Sequence, residues 1–134
     1  MAETEKITIN MSVVDLGKID LLVQEGFYQN RTDFIRAAIR SQLDKNDNAV
    51  QSSIIRNEFG LGVFICSRDG LEKSLAQGER KNYNVIGRLV IQDDVTPELA
   101  DQAIESIRLI GTLRASDEIK TILKDRTGYG IEIK

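Results

Sequence analysis

No histidine occurs among the 134 residues. Its absence removes nucleophilic catalysis by Ser–His or Cys–His pairs, together with the usual zinc and nickel sites. Cysteine occurs once, as Cys66, so no intrachain disulfide can form and a reducing cytoplasm is the expected setting. Cys66 sits in the apolar run Gly62-Val63-Phe64-Ile65-Cys66, where a buried structural thiol is expected rather than a reactive one. No apolar run reaches the roughly 20 residues that a bilayer demands, so no membrane role is expected. The opening stretch, Met1 to Lys6, is acidic and polar and lacks the regions of a secretory signal. No phosphate-binding loop or dinucleotide signature appears either. These gaps point away from an enzyme, a metal and a cofactor.

What is present is ordinary in bulk and specific in pattern. The hydrophobic fraction of 41% and charged fraction of 29% suit a soluble globular chain of one compact domain or two small ones. Near the start, Lys6-Ile7-Thr8-Ile9-Asn10-Met11 alternates strictly, placing Lys6, Thr8 and Asn10 on one strand face and Ile7, Ile9 and Met11 on the other. A lone amphipathic strand is unstable in water. Its economical partner is the same strand of a second copy, giving a two-stranded antiparallel ribbon. A ribbon of that width fits the DNA major groove.

Two short helices are expected next. Ser12 with Asp15 forms an acidic variant of the capping box, and Leu16, Ile19, Leu22 and Val23 make an apolar stripe over Val13 to Glu25. Gly17 weakens that helix by about 1 kcal/mol relative to alanine. Gly26 supplies the stop. Asn30 with Asp33 repeats the cap for a second helix, Arg31 to about Lys45, with Phe34, Ile35, Ala38, Ile39 and Leu43 as its core stripe. The start of that helix offers free amides and a positive dipole end, suited to a phosphate oxygen.

The arrangement Lys6-Ile-Thr-Ile-Asn-Met-Ser12 followed by Gly26-Phe-Tyr-Gln-Asn-Arg-Thr-Asp-Phe-Ile-Arg-Ala-Ala-Ile-Arg40 resembles the ribbon-helix-helix family of the CopG/Arc/MetJ type, over about residues 5–45. The resemblance implies a β-α-α homodimer that reads double-stranded DNA. By position, Lys6, Thr8 and Asn10 would touch base edges, while Asn30, Arg31 and Thr32 would hold phosphate. Ile7, Ile9, Met11, Phe34, Ile35 and Ile39 would form the dimer core. The side-chain chemistry suits these roles: Lys6 can donate to guanine, Asn10 can bond adenine bidentately, and Thr8 offers a hydroxyl and a methyl. Charge pulls the other way. The chain carries a net −3, and residues 1–47 hold six basic side chains against eight acidic ones, whereas proteins that neutralise phosphates usually show a basic face.

The second half holds a repeat. Apolar runs begin at Leu61, Val85, Leu109 and Ile131–Ile133, about 24 residues apart, and Val85-Ile86-Gly87-Arg88-Leu89 matches Leu109-Ile110-Gly111-Thr112-Leu113. Helical stretches separate them: Asp69 to Gln77 closed by Gly78, Thr96 to Ile107 opening on Thr96-Pro97-Glu98, and Ser116 to Arg126. Strands alternating with short helices imply a parallel, solenoid-like stack of β-α units. Gly87 and Gly111 read as close-packing or bulge positions, and Asp93-Asp94 as a turn. Arg68, Arg80, Lys81, Arg88, Arg108 and Arg114 are interleaved with acids and read as a solvated face.

The expected organisation is therefore an α+β ribbon-helix-helix domain over 1–46, a helix tail and linker over 47–60, and a small α/β repeat domain over 61–134. The last, whose open sheet has edges to pair, is expected to join dimers into tetramers or larger arrays. The chain is also similar to bacterial CopG-like regulators with a C-terminal extension around Val95-Thr-Pro-Glu-Leu-Ala100. The leading reading is a cytoplasmic DNA-binding regulator, a repressor of its own or a neighbouring operon. Two others stand beside it: an antitoxin or other protein-binding partner, and an assembly protein whose ribbon only dimerises.

Overall fold

The structure, a computed structural model, describes residues 4–130. It divides into two compact units, one ending at Ser52 and the other beginning at Ser53.

The N-terminal unit is built on a helix pair. Residues 4–12 form no strand in the single chain. Helix α1 (Val13–Gln24) starts where the Ser12 hydroxyl accepts from the amides of Val14 and Asp15, at 3.2 and 3.3 Å. It stops at Gly26, whose φ of +86° lets the Gly26 amide donate to the Val23 carbonyl and the Phe27 amide to that of Leu22. Helix α2 (Arg31–Lys45) begins with a reciprocal cap: Asn30 Oδ1 accepts from the Asp33 amide at 2.8 Å, and Asp33 Oδ2 accepts from the Gln29 amide at 3.2 Å. The ring of Tyr28 meets that of Phe34 edge-on, with centroids 5.0 Å apart.

Where a helix tail and linker are expected over 47–60, the chain forms a further helix, α3 (Asp47–Asn57). It closes on Glu58 at φ +56°, with the Phe59 amide donating to the Ile54 carbonyl. The polar composition Asn46-Asp47-Asn48 and Ser52-Ser53 suggests a loop, but none of these residues breaks a helix as Pro or Gly would.

The C-terminal unit alternates strand and helix: β1 (Gly60–Cys66), α4 (Arg68–Ala76), β2 (Lys81–Ile91), α5 (Pro97–Ala103), β3 (Ile104–Arg114), α6 (Asp117–Ile122), a 3-10 turn (Lys124–Arg126) and β4 (Thr127–Tyr129). The strands make one all-parallel sheet in the order β1-β2-β3-β4. Each crossover helix opens on a hydroxyl cap, from Ser67, Thr96 and Ser116. The helices share one layer, with α5 touching both α4 and α6. Between that layer and the sheet lies the core, including Leu71, Leu89, Ala103, Ile107, Leu109 and Leu123. Cys66 is buried there as expected, and burial pushes its thiol pKa up; the neighbouring Tyr83 hydroxyl is likewise driven upward, first by desolvation.

Several boundaries differ from the sequence reading: β2 begins at Lys81 rather than Val85, and the helix expected over Ser116 to Arg126 ends at Ile122. The helix expected over Thr96 to Ile107 ends at Ala103, and β3 begins at Ile104. The register jumps there, Lys81 facing Ile104 and Asn82 facing Ser106, so Glu105 is an extra residue bulged out of β3. The bulge puts Ile104 and Ile107 on the same side at a spacing of three, which imitates a helix. The fourth strand is Thr127–Tyr129, whereas the apolar run at Ile131–Ile133 lies outside the described residues.

The registered positions Gly62, Gly87 and Gly111 form a column across three strands, with φ of +138°, +129° and +137°. A Cβ on Gly87 would stand 2.2 Å from the Gly62 carbonyl oxygen, and one on Gly111 1.9 Å from that of Gly87. The carbonyls of Gly62 and Gly87 thus occupy the places where side chains on Gly87 and Gly111 would start.

Arg80, read from sequence as a solvated charge, donates to the carbonyls of Asp101, Gln102 and Ile104, each at 3.1 Å. Arg126 joins it from the other side, donating to the Asp101 and Ile104 carbonyls at 2.8 and 3.0 Å and pairing with the Asp101 carboxylate at 2.6 Å. Two guanidinium groups from adjoining repeats therefore cap the C-terminus of α5, where the helix dipole favours positive charge. Arg88 also leaves the solvated set, donating to the Thr112 hydroxyl at 3.0 Å, and Arg108 lies 5.1 Å over the buried Phe59 ring.

Candidate nucleic-acid interface

The alternating segment forms no strand, and both its polar and its apolar side chains are exposed. Lys6, Thr8 and Asn10 are exposed, and so are their apolar neighbours, Ile7 at 75% and Ile9 at 64% of their full surface. Met11 and Ile39 are exposed as well, while Phe34 and Ile35 are half-buried. Among the described residues of this unit only Ile19 is fully buried. A unit of this size with one buried side chain falls far short of the apolar burial that a folded domain requires. Its exposed apolar side chains include Ile7, Ile9, Met11 and Ile39 of the expected dimer core, and also Val13, Val14, Leu21, Phe27 and Leu43.

The phosphate-binding candidates sit together at the head of α2. The Asn30 side chain is committed to its cap, and the backbone of Arg31 and Thr32 forms the first turn at the positive end of the dipole. Two features oppose an anion there. Asp33 brings its carboxylate into the same turn. The Arg31 guanidinium is bidentate to Asp20 of α1, Nε to Oδ1 at 2.7 Å and Nη2 to Oδ2 at 2.9 Å. That hydrogen-bonded pairing lowers the Asp20 pKa and raises that of Arg31. The stabilisation from Asp20 is present above the ordinary carboxylate pKa and lost as pH falls through the depressed one. Sequence spacing did not reveal the pair, since residues 20 and 31 lie on different helices.

Replacing Asp20 with asparagine should release Arg31 without changing the shape of the site. The expected result is tighter DNA binding with a log–log salt slope steeper by about 2 per dimer, as one more cation in each chain becomes available to phosphate. Titration by fluorescence anisotropy across several salt concentrations would show it. An unchanged slope would mean that Arg31 makes no phosphate contact.

Elsewhere the surface offers little chemistry. A shallow cleft at the carboxyl ends of β2 and β3 is lined by Asp93, Asp94, Arg114 and Ser116, among others. Among the described residues no group of three metal-ligating side chains comes together, and no helix is long and apolar enough to cross a membrane.

An exposed alternating segment and a capped helix pair make up one unit of the chain, and a parallel α/β sheet the other. Residues 2–120 match the model of the ribbon-helix-helix transcriptional regulator family, and the chain belongs to that family. Membership implies DNA binding and dimerisation, in a family of regulators rather than enzymes. No curated protein and no solved structure matches the chain.

Proposed function

We propose that this protein is a sequence-specific DNA-binding repressor acting in the cytoplasm as a homodimer. Residues 6–11 of two chains pair into an antiparallel ribbon, with Lys6, Thr8 and Asn10 toward the major groove and Ile7, Ile9 and Met11 against the helices. Asn30, Arg31 and Thr32 anchor the ribbon to the flanking phosphates. The observation that carries this reading is the exposure of Ile7 and Ile9 beside a helix pair that buries only Ile19 among its described residues. Apolar side chains in strict alternation next to an under-filled core call for a second copy.

The C-terminal unit serves as the assembly module that joins ribbon dimers. Its role follows from weak local electrostatics: one lysine per reading face and an Arg31 already paired with Asp20 leave a single dimer few phosphate contacts. Several ribbons held together bind where one does not.

Selection of bound sequences from random duplex DNA at moderate salt tests the reading. The expected outcome is enrichment of a two-fold-symmetric motif, mirroring the symmetry of the dimer. Failure to enrich any motif would move the weight to a second reading, an assembly protein whose ribbon only dimerises. The Asp20–Arg31 pair and the net negative charge favour that alternative.

A further inference from the structure

The two edges of the parallel sheet are unlike. β4 is three residues long, contains Gly128 and follows a charged turn, so it offers little to an incoming strand. β1 spans seven residues, Gly60-Leu-Gly-Val-Phe-Ile-Cys66, with no charge and no proline. Natural sheets blunt such edges with charge, proline or brevity, and this one has none of these. Leu61, Val63 and Ile65 lie on the sheet face away from the helix layer and are 59%, 47% and 62% exposed. Phe64, on the helix side, is exposed as well.

The glycine column supplies a second observation. The place of a Cβ on Gly87 is taken by the carbonyl of Gly62, and that on Gly111 by the carbonyl of Gly87. At Gly62 the corresponding place meets nothing nearer than the ring of its own Phe64, at 4.0 Å. The backbone pattern that continues across β2 and β3 stops at β1 with room for one more strand.

We infer that the edge of β1 pairs with β1 of a second copy, antiparallel about a two-fold axis at Val63. This rests on the reading of the C-terminal unit as an assembly module, and it names the strand that does the joining. The sequence of β1 is self-complementary in that register. Val63 meets Val63 of the second copy, Leu61 meets Ile65, Gly62 meets Phe64 and Gly60 meets Cys66. Every pair keeps both residues on one face, as antiparallel pairing requires, and the whole strand is used. On the open face the pairs are all aliphatic, which is the favourable cross-strand combination. On the helix side each Phe64, whose ring lies over Gly60 of its own strand, stands opposite the partner's Gly62. Packing the open faces of two sheets against each other is disfavoured, because Arg88, Arg108 and Arg114 lie on that face.

Cysteine scanning of the full-length protein tests the register. Under mild oxidation Val63→Cys should form a two-chain disulfide species, because only residue 63 faces itself across the axis. Leu61→Cys and Ile65→Cys should each fail alone and cross-link when mixed, and the wild type, with Cys66 buried, should stay uncross-linked. Absence of the Val63→Cys product, or self-linking of Leu61→Cys, overturns the pairing. Light scattering on the wild type separates this from the broader reading. Cross-links at a mass of two chains keep the β1 pairing and remove the role in joining dimers. A mass above two chains without Val63→Cys cross-links keeps that role and removes β1 as its site.

Discussion

Simultaneous replacement of Lys6, Thr8 and Asn10 by alanine should abolish specific DNA binding and leave the dimer intact. Each side chain that reads a base edge is worth about 1–3 kcal/mol of discrimination, and the three recur in both chains of the ribbon. Losing them should carry affinity for the selected motif down to the nonspecific level, a fall of roughly 10³-fold or more. The dimer should survive because the substitutions leave Ile7, Ile9 and Met11 in place, and alanine is tolerated on a solvated strand face. Anisotropy titration against the selected duplex and a random one, with light scattering on the same sample, separates the two effects. Normal affinity of the triple variant for its motif would show that the ribbon does not read DNA. Loss of the dimer would show that the polar face also holds the subunits together.

The second large effect concerns stability. Gly87→Ala should destabilise the C-terminal unit by about 3–5 kcal/mol, a large share of a small domain's total. The new Cβ would be driven to 2.2 Å from a backbone oxygen, and backbone hydrogen-bonded on both sides cannot retreat as a flexible side chain can. Its φ of +129° adds strain of its own. Gly62→Ala separates the two causes, since Gly62 has the same backbone conformation without the close carbonyl; about 1–3 kcal/mol is expected there. Gly128→Ala, with nothing within 4 Å, is the control and should stay within about 0.5 kcal/mol of the wild type. Urea unfolding followed by circular dichroism measures all three. A Gly87→Ala protein as stable as Gly128→Ala would mean that the column is not close-packed.

Much of this architecture can be read before any coordinates. Caps at Ser12, Asn30, Thr96 and Ser116 and stops at Gly26 and Gly78 are local chemistry, so they appear in one dimension. The 24-residue spacing likewise survives as a parallel sheet in sequence order. What sequence hides is whatever depends on a neighbour. The bulge at Glu105 turned a strand into an apparent helix continuation, because Leu99, Ala100, Ala103, Ile104 and Ile107 fall at helical intervals. The Asp20–Arg31 pair needs two helices to be brought together, and the Arg80 and Arg126 caps need three successive repeats. Helix α3 was masked by residues equally at home in a loop. The proposed ribbon would be a further case: a pairing partner in another chain leaves a single chain with the segment exposed and without a strand.

The glycine column also bears on how such a module can change over generations. Because one residue's carbonyl fills the place of the next one's side chain, no replacement of Gly87 or Gly111 can be offset by trimming an adjacent side chain; the obstacle is main chain. The alteration that leaves the fit undisturbed is insertion or removal of a complete strand-and-helix segment, 25 residues from Gly62 to Gly87 or 24 from Gly87 to Gly111. Descendants of this chain should therefore differ in the number of copies of that segment more readily than in the identity of its glycines.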